Sequence, residues 1–593
     1  VTDSNLAALS FTYEEDTGLV SRVQRGEQYF EYGYDSQGRV ISRTDAMGRT
    51  VDYAYDDDNL ISQLTLADGS TQYEYGYDDL GRRTSYMMPN GGAHTLNYTF
   101  DDNLGEYAAP ATSNPLSKSY DLDSRITEAS HPTGRSIQYS RNGQHRLETV
   151  SYDEGEVSVT FSGISTDVEP ETMTVTPVDS DATAQTLTFG RDGSRLTTLT
   201  GSGAVPFEAS FEYSPLGSVD ALTFSIDGYS YSATMSHDSD GYQTSEDDIT
   251  QDRSGPKGAP ASISDTNGFS QTYSYDEQGF VVGKVLSFGA EELYSLALGY
   301  DAGGYPTQRE DTLDGTATFW SLSYSNNGEL ESVSSDTTTL ESYDYDDNGN
   351  RTNLSGEDAS YDARDRLINF GSTTYSFDDD GFLTSRTNGS NTDTFSYSAR
   401  GELLRATVSG EDILFEYDPF GRRIRRTSAS QTVTYYYTDP NNAFRISGFL
   451  EDGGDFTRVS YDGLGHVVRL DQGASYYYIA TDQVGSVRAI FDNAGVLVKS
   501  IAYNAIGEIQ EDSNTDFLMP LGFGGGIRDA GLVRMGYRDY DPELGRWTAT
   551  DPILFAGKQA NLYVYAANNP VSLVDPMGLI CIEASAYEFV GGG

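Results

Sequence analysis

Tyrosines that recur two apart, followed by an aspartate and then a glycine three residues on, dominate the pattern of the chain. Tyr32-Gly-Tyr34-Asp35 leads to Gly38-Arg39, Tyr53-Ala-Tyr55-Asp56 follows, and Tyr75-Gly-Tyr77-Asp78 leads to Gly81-Arg82. The phrase returns at Tyr273/Tyr275-Asp276 with Gly279, at Tyr343/Tyr345-Asp346 with Gly349, and at Tyr417-Asp418 with Gly421-Arg422. Weaker copies stand at Tyr300-Asp301, Tyr361-Asp362 and Tyr461-Asp462. Residues two apart point to the same face of a strand. The aspartate opens a turn by bonding backbone groups ahead of it, and the glycine takes the positive φ that closes a hairpin. Each period of about 20 residues therefore predicts one hairpin. Between about 155 and 265 the phrase decays while alternation persists (Val157-Ser-Val159-Thr160, Thr172-Met-Thr-Val-Thr176), which predicts the same sheet with altered turns. The fold class expected is all-β, with a spiralling sheet of hairpins.

Repetition overrides the division into several globular domains that 593 residues would otherwise suggest. The 44 tyrosines against 26 phenylalanines and 2 tryptophans suggest a wide, wet interior whose hydroxyls reach water or one another.

Charge narrows the choice of partner. Lys and Arg number 38 against 91 Asp and Glu, a net charge of -53, so a nucleic-acid duplex or an anionic membrane would be repelled. The acidity suits solubility, a salty environment or a basic partner alike. A single cysteine, Cys581, rules out an intrachain disulfide. No apolar run is long enough to span a bilayer, and no signal peptide is visible.

The C-terminal stretch carries the chemistry. Tyr478-Ile-Ala-Thr-Asp482-Gln-Val-Gly485-Ser-Val487 is followed by Tyr537-Arg538-Asp-Tyr540-Asp541-Pro542-Glu-Leu-Gly545-Arg546-Trp547. Then come Asp551-Pro552-Ile553, Asn561-Leu-Tyr563-Val-Tyr565, Asn568-Asn-Pro570 and Asp575-Pro576-Met-Gly578-Leu579. Together with the tyrosine phrases, this ordered series resembles the Rhs/YD-repeat superfamily, which includes bacterial Rhs polymorphic toxins, the C components of Tc toxins, and teneurins. The resemblance implies a hollow shell with a C-terminal core module curled inside as a plug. It also implies that the module cuts the chain between Leu579 and Ile580, using Arg538, Asp551 and Asp575, with Pro576 and Gly578 shaping the cleavage motif. The boundaries expected are 1–475 for the shell, 476–579 for the core and 580–593 for a tail, the start or remnant of an effector region.

Two carboxylates sharing one proton can hydrolyse an amide, one activating water and the other donating a proton. Like charges brought together raise one pKa until a proton is retained, and an arginine orients whichever carboxylate it contacts. The blander reading makes the Asp-Pro pairs ordinary turn starters and Arg538 an ordinary salt bridge. Asp344-x-Asp346-x-Asn348-Gly349 begins like a calcium loop, but its twelfth position is Ser355 rather than Glu, so a hairpin turn is expected. Gly522-Phe-Gly524-Gly-Gly526 lacks the Lys-Ser/Thr of a phosphate loop and reads as a bend. The five histidines show no metal-ligand spacing, and Cys581 no base partner, so neither metal nor cofactor is expected.

Two functions follow as expectations. The first is a secreted, surface or secretion-delivered capsule for a C-terminal toxin, released by aspartate-dependent self-cleavage. Its partners would be its own C-terminal segment, a second shell-forming chain or N-terminal segment, and a delivery machine. The alternative is a non-enzymatic, teneurin-like adhesion shell that binds glycans or proteins.

Overall fold

Asp35 shows how the repeated phrase makes a turn. Its Oδ1 accepts the backbone N–H of Gln37 and of Arg39 at 2.8 and 3.0 Å, while Arg39 Nε returns to Oδ2 at 2.7 Å. Gly38 sits at φ +82° and donates its N–H to the Asp35 carbonyl at 3.0 Å. The same construction recurs at Asp78–Arg82 and at the buried Asp418–Arg422, where Nε lies 2.7 and 2.6 Å from Oδ2. The would-be calcium loop is also such a turn, with Asp346 Oδ1 accepting the N–H groups of Asn348 and Asn350 at 3.0 and 2.9 Å.

The second tyrosine has a definite partner, different from the water or fellow hydroxyls that composition suggested. Tyr34, Tyr55, Tyr77 and Tyr417 donate their hydroxyls to the carbonyls of Val20, Val40, Ile61 and Leu403 at 2.6 to 2.8 Å. Each of those carbonyls belongs to the first residue of the preceding hairpin's return strand. The phrase therefore ties every such hairpin to the one before it.

The structure, a computed structural model, describes residues 6–161 and 169–583. Among them, 48 strands from Leu9–Tyr13 to Ile509–Asp512 form one sheet, each strand antiparallel to its neighbours in sequence. The ladder crosses the region of decayed phrases, with Gly155–Phe161 paired to Pro170–Pro177, and crosses residue 475 without a break. Register slips by a bulge just before the second tyrosine of the repeat, at Gly33/Tyr34, Ala54/Tyr55, Gly76/Tyr77 and Glu416/Tyr417. A bulge bends its strand and increases twist, so periodic bulges curl the ladder continuously in one sense.

Successive circuits are laid against each other by charge pairs and turn contacts. Asp68 and Asn327, 259 residues apart, meet near the start, and Arg135 reaches Asp378 and Asp380 at 2.9 and 2.5 Å. Arg458 then holds Glu246 and Asp247 at 2.8 Å each, and Ala505 N–H reaches Glu341 across only 164 residues. The spiral narrows toward the C-terminal end. Its accessible surface of 25996 Å² exceeds the roughly 20,000 Å² expected of a compact chain of this mass, as an open shell requires.

Beyond Asp512 the chain leaves the ladder and turns inward. Ile527–Asp529, Leu532–Met535, Arg538–Asp541 and Arg546–Trp547 make a separate four-stranded sheet. Phe523, Val533, Met535, Tyr540, Trp547 and Tyr565 from this plug share one buried cluster with Val433, Tyr435 and Ile490 of the wall. A buried ion network fastens it: Asp539 takes Arg423 of the wall at 2.9 Å and Arg534 at 2.8 Å. Gly522–Gly526 is the expected bend, with Phe523 buried inside it.

Candidate active site

Three pieces of the plug converge. Arg538 opens the strand Arg538–Asp541, Asp551 opens a turn into the short 3-10 segment Leu554–Gly557, and Asp575 follows the strand Leu573–Val574. Asp551 caps its own turn, as an aspartate before proline favours, with Oδ1 accepting the Ile553 N–H at 2.9 Å and its carbonyl accepting that of Leu554 at 3.0 Å. The Asp575-Pro576-Met577-Gly578 turn closes with the Gly578 N–H on the Asp575 carbonyl at 3.1 Å. Gly578 has φ +64°, and a Cβ there would stand 2.8 Å from the Met535 carbonyl oxygen and 3.0 Å from Arg538 N. Only glycine lets this turn lie flat on the Arg538 strand.

Arg538 is the hub. Its Nη2 lies 2.9 Å from Asp551 Oδ2 and 3.3 Å from Asp575 Oδ2. Nε donates to the Gly578 carbonyl at 2.5 Å, Nη1 to the Leu562 carbonyl at 3.2 Å, and the guanidinium lies 4.2 Å from the centre of the Trp547 ring. Asp575 Oδ1 accepts two N–H bonds, from Leu579 at 2.9 Å and from Ile580 at 3.1 Å. The Leu579–Ile580 amide thus has its nitrogen held on Asp575.

Its carbonyl oxygen faces the other carboxylate. A Cβ built on Gly557 would lie 2.7 Å from Leu579 O and 2.9 Å from Asp551 Oδ2, so both oxygens converge on the space this glycine leaves empty. Arg538, Asp551 and Asp575 are all buried, whereas Ile580 is 45% exposed. A cavity of about 320 Å³ borders Arg538 and Asp551 and extends to Lys118, His131 and Tyr139 in the first circuit of the sheet.

Burial sets the electrostatics. It pushes the Asp551 carboxyl up to about 6, with Arg538 opposing the rise, and it raises Asp575 against Arg538 and the two amide N–H groups. The same desolvation lowers the Arg538 guanidinium against the pull of both carboxylates. Two carboxyls and one cation withdrawn from bulk solvent favour retention of a proton on the pair.

Every residue that the sequence singled out for cleavage is therefore in one place. Gly557 and the Leu562 carbonyl were not anticipated; the course of the chain after Asp551 brings them there, and no local signal marks them. Cys581 accepts the Gln559 side-chain N–H at 3.2 Å and its thiol is pushed up by burial. Two of the five histidines, His94 and His131, line the same cavity.

Fold and site together define an all-β spiral shell of YD hairpins with an internal C-terminal module. The family model for the teneurin YD-shell matches residues 1–571, and the chain belongs to that family. It is 29% identical to Teneurin-3 of Danio rerio over 97% of this chain and 22% of the relative. With human Teneurin-1 the identity is 27%, over 95% of this chain and 21% of the relative. The chain thus spans about a fifth of the length of these relatives. Its fold resembles that in the Photorhabdus luminescens Tc holotoxin pore (TM-score 0.69, 16% identity, 98% of this chain and 36% of that one). It also resembles the TcdB2-TccC3-TEV crystal structure (TM-score 0.66, 16% identity, 96% and 36%). Asp575 and Leu579 lie beyond the residues that the family model matches.

Proposed function

We propose that this chain is an encapsulating shell that cuts itself once, between Leu579 and Ile580, and so frees the segment that follows. The observation that carries this is the bracketing of one peptide bond. Its nitrogen is hydrogen-bonded to Asp575, its carbonyl oxygen stands beside Asp551, and Arg538 holds both carboxylates.

In this reading Asp551 is the base. A water from the adjoining cavity, which has room for about ten, gives a proton to Asp551 Oδ2 as its oxygen adds to the Leu579 carbonyl carbon. The C–N bond then breaks, the Ile580 nitrogen takes a proton from Asp575, and the products are a Leu579 carboxylic acid and an Ile580 amine. The chain cuts once, so the step ends with Asp551 protonated and Asp575 ionised, and both then re-equilibrate with water in the cavity. Arg538 orients both acids, and Pro576 and Gly578 present the bond as a tight turn. Residues 1–475 would act as the container, with the strands up to Asp512 completing its wall, and the rest of 476–579 as the release module. The tail from Ile580 begins the enclosed segment; its residues 584–593 lie outside the described ones.

The cargo would be the chain's own C-terminal effector segment, with a second shell-forming chain or N-terminal segment closing the container. Action outside the producing cell, by secretion, surface display or a bacterial delivery machine, fits that role. Among the described residues no helix is long and apolar enough to cross a membrane. Family membership supports a second reading, a teneurin-like surface shell that binds glycans or proteins without cutting.

Intact mass separates them. A chain with its natural C-terminal extension should split after Leu579, while Asp551→Asn and Asp575→Asn stay whole. A folded parent that never splits leaves the binding shell as the function.

A further inference from the structure

The turn that carries Asp551 is anchored at the opposite end of the chain. Phe555 stacks on Tyr86 with ring centres 3.8 Å apart and planes at 16°. The edges of His94 and Tyr107 complete the slot, at 5.1 Å and 84° and at 6.2 Å and 73°. Tyr86, His94 and Tyr107 come from the strands Arg83–Met87, Ala93–Tyr98 and Leu104–Ala108, all in the first circuit of the sheet. His94 is held in turn by Tyr107, its Nδ1 2.8 Å from the Tyr107 hydroxyl. Leu554 and Leu562 of the plug pack in the same cluster with Leu96 and Leu104.

We infer that the Tyr86–Phe555 stack positions the Asp551 turn, so that the first circuit of the sheet completes the cleavage site. This rests on the cleavage reading above and adds what licenses it.

The turn has no slack through which an error at Phe555 could be absorbed before it reached Asp551. Between the two residues run the Ile553 N–H bond to Asp551 Oδ1, the Leu554 N–H bond to the Asp551 carbonyl, and a left-handed Leu554 at φ +53°. On its far side Lys558 N–H closes onto the Phe555 carbonyl at 3.1 Å. Two residues past the ring lies Gly557, whose bare Cα sets the gap between Asp551 Oδ2 and Leu579 O. Reacting groups tolerate displacements well under 1 Å, so a turn that loses its ring slot loses the reaction geometry.

The slot, built on three successive strands of one circuit, meets Phe555 only when the circuits are stacked. Asn90 N–H reaches Asn348 Oδ1 at 3.2 Å, and Arg364 donates to the carbonyls of Pro110 and Ala111 at 3.1 and 3.2 Å, clamping the first circuit onto the second. A chain whose first circuit has not settled has no Tyr86 wall for Phe555. Self-cleavage is thereby coupled to shell closure, and the enclosed segment stays attached until the container is built. Phe555 and Tyr86 are positioning residues; neither touches the scissile bond.

The test uses the full chain with its C-terminal extension. Tyr86→Ala and Phe555→Ala should slow cleavage, followed by intact mass, at least tenfold, and Tyr86→Phe should restore it to within about twofold of the parent. Tyr305→Ala, which removes a stack on Tyr324 at 5.0 Å and the ring under Arg49 of the first circuit at 4.3 Å, loosens the seam between circuits away from Phe555; it controls for general loosening and should leave the rate within twofold. Hydrogen exchange is read in parallel on uncut Asp575→Asn chains. There Tyr86→Ala should speed exchange at 552–558, and Tyr305→Ala should not. Parent-like cleavage and parent-like exchange in Tyr86→Ala would overturn the inference, as would equal losses in Tyr86→Ala and Tyr305→Ala. A parent that never cuts, with exchange at 552–558 still responding to Tyr86→Ala alone, keeps the anchor and overturns only the cleavage reading.

Discussion

The backbone N–H of Ile580 rests on Oδ1 of Asp575 at 3.1 Å, so the amide proposed for cleavage is held by a carboxyl four residues upstream of Leu579. Its strength as an acid and the ionisation of Asp551 set how the site responds to pH, charge and shape.

Cleavage should rise with pH through the titration of Asp551. A base must be ionised to take a proton from water, and burial pushes this carboxyl up to about 6. The initial rate is expected to climb about tenfold per unit below pH 6, to level off above it, and to fall again where Asp575 loses the proton that it must donate. Single-turnover cleavage across pH 4.5–8 checks it; a rate flat over that range would remove Asp551 as the base.

Stability should run the other way. Folded Asp551 keeps its proton to higher pH than an unfolded aspartate, which titrates near ~3.9. Its contribution is full below about pH 4 and is lost as pH rises through about 6. Asp575 is raised by the same burial and adds in the same direction. Between pH 4 and pH 7 the denaturant midpoint of uncut Asp575→Asn, which keeps Asp551, should fall relative to that of the Asp551→Asn/Asp575→Asn double variant. Parallel midpoints would contradict the assignment.

Removing Arg538 should leave two buried carboxyls without their cation. Arg538→Met is expected to stop cleavage and to cost about 3–5 kcal/mol at pH 7, with a smaller loss at pH 5, where the carboxyls accept protons. Arg538→Lys keeps the charge but cannot reach Asp551, Asp575, Gly578 and Leu562 together. It should stay folded and cut at least about 100-fold more slowly. Thermal melts and mass time courses at both pH values decide this.

Gly557→Ala places a methyl 2.7 Å from the Leu579 oxygen and 2.9 Å from Asp551 Oδ2. One of them must move, so cleavage should fall by about 100-fold or more while the melting temperature changes by only a few degrees. Parent-like cutting in this variant would show that the two oxygens do not have to meet there.

In the wall, Tyr417→Phe should cost about 1 kcal/mol or somewhat more, because the hydroxyl is lost both to the buried Leu403 carbonyl at 2.8 Å and to the Arg423 guanidinium at 3.1 Å. Tyr34→Phe, at a half-buried turn, should cost less, because water reaches the Val20 carbonyl. Urea midpoints of the two variants provide the comparison.

Much of this architecture was legible in the chain itself. The tyrosine pairs, Asp-x-x-Gly turns and alternation predicted an all-β ladder of hairpins, and the ladder runs from Leu9 to Asp512. These are local features: an aspartate bonds N–H groups two and four residues ahead, and a glycine supplies a positive φ without help from distant parts. The ordered motifs named Arg538, Asp551 and Asp575, but as words in a row, with no geometry between them.

What the sequence alone determined is therefore the unit and its repetition. Tertiary structure decided everything that depends on how far the ladder curls per hairpin. Bulges before the second tyrosine set that curl, and their summed effect over hundreds of residues brings Asp68 to Asn327, Arg135 to Asp380 and Tyr86 to Phe555. It also placed the hydroxyl of the second tyrosine of the phrase on a carbonyl of the preceding hairpin. Small angular increments accumulate, and no window of sequence contains their sum; for that reason the floor beneath Asp551, built from the far end of the chain, appears only once the spiral is closed.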